Sequence, residues 1–318
     1  MNVTGAFHGL LAFGIFATHD AVIKYLGGAY SPFQVVFFAT LFSFPLVTLM
    51  LMQDKTEGHL RPIHPWWTAL RTMCSTLNAI CVFYAFTVLP LAQVYAILFA
   101  MPLLITVLSI PILGEKVGIH RWFAVLVGLI GVIVVLRPGQ TELGLGHAAA
   151  LSSACLGSVA SIIVRKVGRE ERSVVMMIYP MVSNFVVMGS LMIFTYQPMP
   201  LPDLAGVGAI ALLGFTAGLL LVFAYRASEA AIVAPMQYSQ ILWATFFGYM
   251  FFDEHLDGAT VLGAGIIIAS GLYILFRESR GGRSENTPVL RNRSRASSAI
   301  SFRVSTLLRR QRGDGDEG

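Results

Sequence analysis

Two ionisable side chains stand next to each other, His19 and Asp20, inside a long apolar run. Ionisable groups are costly in hydrocarbon, so such a doublet is placed either to bind a polar ligand or to carry a proton. A local alternative stands beside these. Lys24 follows Asp20 by four residues, so on a helix the two share a face and can neutralise each other. Gln93 and Tyr95 open a second apolar run, and Gln237, Tyr238, Gln240 and Trp243 lie in a third. Uncharged amides and aromatic rings suit a flat, hydrogen-bonding organic ligand better than an inorganic ion. The same groups also serve as hydrogen-bonded glue between membrane helices. Asn78 with Tyr84, and Tyr179 with Asn184, are candidates of second rank.

Nothing in the chain points to catalysis. There is no phosphate-binding Walker loop, no His/Cys metal spacing and no nucleophile elbow. No cofactor is expected, no metal site, and no ATP-driven step. Cys74, Cys81 and Cys155 lie inside apolar segments and read as small buried apolar residues.

Composition sets the solvent. Hydrophobic residues make up 56% of 318, charged residues only 12%, and the mean hydropathy is +0.71. A water-facing domain carries about a quarter charged residues. The chain is therefore expected to be an all-α integral membrane protein. Much of the formal charge of +5 comes from one end, where ten arginines from Arg277 to Arg312 follow the last apolar run. That pattern is not a nucleic-acid surface; it reads as a cytoplasmic tail beside anionic membrane lipid. No signal peptide is visible, because the first residues lack a basic region and a convincing cleavage site.

The elements that carry these residues repeat. The stretch from Tyr84 to Leu136 is answered from Phe223 to Leu275, about 139 residues downstream. Phe86 aligns with Tyr225, Ala92 with Ala231, Phe99 with Tyr238, Met101 with Gln240, and Glu115 with Glu254. An earlier, weaker alignment matches Lys24 with Arg165 and Gly27 with Gly168. A bilayer-spanning helix needs about 20 apolar residues, and ten candidates satisfy that. They are Gly5–Leu26, Pro32–Met52, a third from about Trp66, Leu91–Leu113, His120–Leu136, Gly146–Val164, Val174–Thr195, Leu204–Tyr225, Ala230–Phe252 and Ala259–Phe276. Residues 5–137 and 146–277 are then two five-helix repeats, and 278–318 a basic disordered tail. Within that tail Ala299–Arg310 has the pattern of a short surface helix, although a solvated tail is the preferred reading.

Five is odd, so the repeats are inverted. With the N-terminus inside, the inner loops collect Lys55, Arg61, Lys116, Arg121, Arg165, Lys166, Arg169, Arg172 and Arg226, whereas the outer side holds Arg137, with Lys24 near a helix end. Positive loops mark the cytoplasm, so both termini are expected there. Asp20 then falls in the outer half of its helix. Pro102, Pro111, Pro180 and Pro235 are expected to interrupt helices. Glu115 and Glu254 read as helix-end anchors or gate contacts. Ala124 with Gly128, and Gly265 with Ala269, suit close packing, within the chain or across a homodimer. Arg71 reads as a lipid or loop contact near a helix end.

With LPLAQ at Leu89–Gln93, PILGE at Pro111–Glu115 and LRPG at Leu136–Gly139, this architecture resembles the drug/metabolite transporter superfamily, EamA type. The resemblance covers about Gly5 to Arg277. It implies a secondary carrier for small metabolites, with a central cavity between the halves, alternating access and, in some members, dimer contacts through the last helix of each repeat. ATHDAVIKYLGG at Ala17–Gly28, HPWWTALR at His64–Arg71 and PLAQVYAILFAMPLL at Pro90–Leu104 resemble, more narrowly, bacterial riboflavin transporters of the RibN kind. Riboflavin would offer a flat ring to Tyr95, Tyr238 or Trp243 and amide edges to Gln93, Gln237 or Gln240. The expectation is a multi-pass carrier of the bacterial inner membrane that takes up riboflavin. S-adenosylmethionine uptake and amino-acid export use similar groups and remain open. A membrane sensor or scaffold working through its tail is the reading from another class.

Overall fold

The computed structural model describes residues 3–52, 60–115, 117–138, 143–168, 170–228 and 230–280. Within them the chain forms twelve α-helices: α1 (Val3–Gly27), α2 (Pro32–Met52), α3 (Pro65–Val88), α4 (Leu91–Leu98), α5 (Met101–Leu113), α6 (Ile119–Leu136), α7 (Leu145–Val167), α8 (Ser173–Met192), α9 (Leu201–Ala227), α10 (Ala230–Val233), α11 (Gln240–Phe252) and α12 (Gly258–Arg280). A 3-10 segment, Ala234–Ser239, joins α10 to α11. In hydrocarbon each backbone N–H needs an internal partner, so apolar runs of this length fold as helices. Eight helical segments are long and apolar enough to cross a membrane, counting α4 and α5 as one. α12 continues past the expected boundary at 277 to Arg280; 281–318, with the short helix expected at Ala299–Arg310, lie outside the described residues.

Two predicted helices are interrupted rather than continuous. The run over 91–113 breaks between α4 and α5, where the Ala100 N–H turns to the Ile97 carbonyl at 3.1 Å. Pro102, in the first turn of α5, has no N–H to continue the ladder. The run over 230–252 tightens into the 3-10 segment, which contains Pro235 near its start. Pro111 and Pro180 behave differently from the expectation, lying within continuous α5 and α8. A proline costs a helix one donor, and α5 and α8 run on without it at those two positions.

The ends of α5 and α11 share a left-handed stop. Gly114 has φ 70 and Asp253 φ 53. The next N–H reaches back six residues in each case, Glu115 to the Ser109 carbonyl at 3.3 Å and Glu254 to the Gly248 carbonyl at 3.0 Å. This is the helix stop made by a left-handed residue, easy for glycine and tolerated by aspartate. Each stop places a glutamate at the end of a long apolar helix.

The helices interleave. α1 packs on α9, α3 on α7, α2 on α8, α4 on α11 and α6 on α12. The α6–α12 crossing is close because it is built on glycine. A Cβ at Gly131 would fall 2.7 Å from Ile267 Cγ1 and 2.9 Å from the Gly263 carbonyl oxygen. The small residues expected to drive this packing are therefore partly others. Gly128 does meet Leu103 and Ser270, but Gly265 faces open space. Outward-facing apolar side chains, such as Leu126, Ile130 and Ile133 on α6 and Leu242, Phe246 and Met250 on α11, are half exposed or more. Such a surface is stable against lipid, and the molecule is a multi-pass membrane protein.

Candidate functional site

A cavity of about 320 Å³ lies between the helices, within the range of small-molecule sites. One face each of α1, α3 and α7 lines it, together with parts of α2, α8, α9, the α4–α5 break and the 3-10 segment. On α3 the lining residues Arg71, Ser75, Asn78, Val82 and Phe86 recur every three or four positions, a single stripe of one helix. The α4–α5 break contributes Phe99 and Met101, and the other interrupted run contributes Gln237 and Gln240. Interrupted helices are the usual material of carrier sites, since they expose directed polar groups at depth.

Asp20 is the acidic residue of the wall, 2% exposed. His19 Nδ1 lies 2.8 Å from its Oδ1, and the Tyr95 hydroxyl donates to its Oδ2. Tyr95 is itself fully enclosed, its ring edge-on to Phe86 with centroids 5.5 Å apart. The local pairing expected between Asp20 and Lys24 is not the contact that Lys24 makes. Lys24 Nζ reaches Glu254 Oε1 at 2.7 Å and the Leu89 carbonyl at 2.5 Å. Glu254 also accepts the Leu91 N–H at 2.9 Å, so it holds the first turn of α4 as well. At the opposite end Arg165 grips Glu115 with two guanidinium nitrogens, the longer bond at 3.3 Å. Both glutamates are thus interhelical ion-pair partners.

The cavity brings together His19, Asp20, Asn78, Tyr95, Gln237 and Gln240. Asn78 Oδ1 accepts from Ser153 Oγ at 2.7 Å. Gln240 is 1% exposed and its Nε2 has no hydrogen-bond partner among the described residues; Asn184 Oδ1, also on the wall, is in the same position. Four of the predicted residues lie elsewhere. Gln93 is within 3.1 Å of His147 Nε2 and lines a small separate recess with Glu254 and Asp257. It precedes Tyr95 by two positions, about 200° around the helix, so both cannot face one cavity. Tyr238 sets its ring against Phe99, at 5.1 Å, and its hydroxyl against Gly271 of α12. Trp243 covers Gly14 and stacks on Phe247, 41% exposed. Tyr84 lies on α3 away from the lining stripe. Of the second-rank pair, Tyr179 instead donates to the Leu60 carbonyl at 3.2 Å.

Arg71 overturns its reading as a lipid or loop contact. It is 4% exposed, lines the cavity, and donates Nη1 to the Met176 carbonyl of α8. The signal was its spacing, seven residues before Asn78 and so on the same face.

Away from the cavity, the loops that follow α1 and α8 are tied together. Gln34, fully buried, donates Nε2 to the Gln197 carbonyl at 2.6 Å and accepts its N–H at 2.9 Å. Tyr30 donates its hydroxyl to Asp203 at 2.5 Å, and this bond raises the phenol above its ordinary pKa.

Comparison with known proteins adds a family. The model of the EamA-like transporter family matches residues 3–137 and again 144–276. An S-adenosylmethionine uptake transporter of Rickettsia prowazekii is 27% identical over 280 residues, covering 87% of this chain and 94% of its own. A riboflavin transporter of Rhizobium johnstonii is 27% identical over 253 residues, covering 77% and 80%. A solved crystal structure shares the fold, with a TM-score of 0.57 at 18% identity over 88% of this chain and 98% of the other. A helical membrane protein with a cavity between its helices, matched twice by one family model, is a transporter and not an enzyme, and this chain belongs to the EamA-like transporter family.

Proposed function

We propose that the chain is a secondary carrier of the bacterial inner membrane that takes up S-adenosylmethionine by alternating access. The observation that carries the reading is the cavity wall. It holds a buried acid, Asp20, a buried base, Arg71, a buried amide at Gln240 and the enclosed Oδ1 of Asn184. S-adenosylmethionine is amphoteric, with a carboxylate, an amine, a sulfonium and a nucleobase edge, and would use groups of each kind. Several relatives that match over most of the chain carry that activity in their names. In this reading ten spans form two inverted repeats, 5–137 and 146–277, with both termini cytoplasmic. The pairing of helices supports it, because α1 on α9 and α3 on α7 are the same contact once the halves are exchanged.

Riboflavin is the second reading. It is favoured by one relative's name and by the phenylalanines of the wall, Phe83, Phe86, Phe99 and Phe215. Purified protein in proteoliposomes, given labelled S-adenosylmethionine or labelled riboflavin, separates the two. Saturable uptake of the first, competed by unlabelled compound and lost in Gln240→Ala, is expected. Saturable riboflavin uptake without S-adenosylmethionine uptake would reverse the assignment, and uptake of neither would remove both.

A further inference from the structure

We propose that Arg71 is the anion-anchoring residue of the cavity and that the transported metabolite bears a carboxylate which it receives. The proposal rests on the carrier reading above and narrows its substrate class.

Arg71 lies on the cavity wall, almost wholly enclosed, whereas Lys24 and Arg165 sit near helix ends in ion pairs. A cation kept inside a membrane helix is costly unless it does something there. Its Nη1 donates to the Met176 carbonyl, which holds the guanidinium against α8. A guanidinium held in this way presents a planar fork, and that fork matches the two oxygens of a carboxylate. Arg71 stands at the far end of the cavity from Asp20. Arg71 and Phe86 stand at opposite ends of the α3 stripe, about 22 Å apart at the rise of a helix, and Phe86 packs on the Tyr95 that holds Asp20.

Polar groups farther along the cavity indicate the rest of the ligand. Asn78 lies about 10 Å beyond Arg71 on α3, the rise of seven residues. Asn184 Oδ1 and Gln240 Nε2, an acceptor and a donor without partners among the described residues, border the same space. A metabolite with a carboxylate at one end and a hydrogen-bonding ring or amide edge at the other fills this arrangement.

The test compares compounds that differ by the carboxylate. Proteoliposomes holding the full chain are given S-adenosylmethionine and its decarboxylated counterpart, which keeps the sulfonium, amine and adenosine. The wild type is expected to show a KM at least ten-fold lower for the acid. Arg71→Gln raises that KM ten-fold or more and leaves transport of the decarboxylated compound within two-fold; Arg71→Lys falls between. Equal loss of both compounds in Arg71→Gln with Arg71→Lys unaltered would make Arg71 a structural latch to α8 and overturn the proposal. Equal handling of both by the wild type overturns it directly. If the wild type moves neither, thermal stabilisation of purified protein is read with tryptophan against tryptamine and S-adenosylhomocysteine against its decarboxylated counterpart. No preference for either acid overturns the Arg71 assignment. A preference lost in Arg71→Gln keeps it, while S-adenosylmethionine is lost as the cargo. Uptake of riboflavin alone, unchanged in Arg71→Gln, leaves a carrier and removes the carboxylate.

Discussion

Lys24 and Glu254 form an ion pair at 2.7 Å that ties the end of α1 to the turn after α11. In the sequence alignment of the two repeats Lys24 matches Arg165 and Glu254 matches Glu115. Arg165 and Glu115 are also paired, at the other end of the molecule. One contact thus occurs twice with donor and acceptor exchanged between repeats, each time after a helix stop of the same backbone form. If the carrier works by alternating access, such pairs would act as opposed latches, one released as the other holds.

The latch reading makes a prediction for Lys24→Gln. Leaving Glu254 without its cation at an 11%/16% exposed contact is expected to cost about 3 kcal/mol, the lower part of the range for a broken buried pair. Cysteines placed beside Gln34 should label faster in this variant, and the exchange Lys24→Glu with Glu254→Lys should slow labelling again. Unchanged labelling in Lys24→Gln would show that the pair only anchors helices.

Asp20→Asn keeps the size of the side chain and its hydrogen bonding to Tyr95 while removing the charge. If protons drive uptake through this group, the variant loses the pH dependence of uptake, and its rate falls at least ten-fold at equal protein level. Tyr95→Phe removes one bond to the carboxylate and should shift the pH profile without abolishing uptake. A rate indifferent to pH in the wild type, and preserved in Asp20→Asn, would exclude Asp20 as the coupling site.

Gly131→Val sets a side chain against Ile267 and the Gly263 backbone, where a Cβ alone is already too close. Overpacking of this kind costs about 1–3 kcal/mol, and a lower melting temperature of the purified protein is expected. Gly265→Ala, with open space around it, should melt with the wild type. The opposite ranking would mean that Gly265 is covered, as in a homodimer.

Tyr30 ionises late because its hydroxyl bonds Asp203. The folded state favours the protonated phenol, so this contribution is complete below the ordinary phenol pKa of about 10 and is lost as pH rises through the raised value. Ultraviolet titration should show one tyrosine moving to lower pH in Asp203→Asn. Tyr30→Phe should remove that group from the curve.

The membrane class was legible because it depends on quantities a sequence states outright, apolar run length and scarcity of charge. The likeness of Tyr84–Leu136 to Phe223–Leu275 can be read in the sequence, since Glu115 and Glu254 fall at fixed register behind similar runs. Even the interruption of 91–113 and 230–252 had a trace in Pro102 and Pro235, although Pro111 and Pro180 have the same trace and interrupt nothing.

What the sequence alone determined is the solvent and the helical class, because hydrophobicity acts locally along the chain. Tertiary structure decided which polar residues meet. Tyr95 faces the cavity and Gln93 does not, since two positions on a helix are about 200° apart and packing selects the phase. Lys24 passes over Asp20, four residues away, for Glu254 on a distant turn, because the stop at Asp253 carries that carboxylate to it. Arg71 is a wall residue rather than a lipid contact because α3 lies between α7 and α8, and its stripe from Arg71 to Phe86 turns inward as one face.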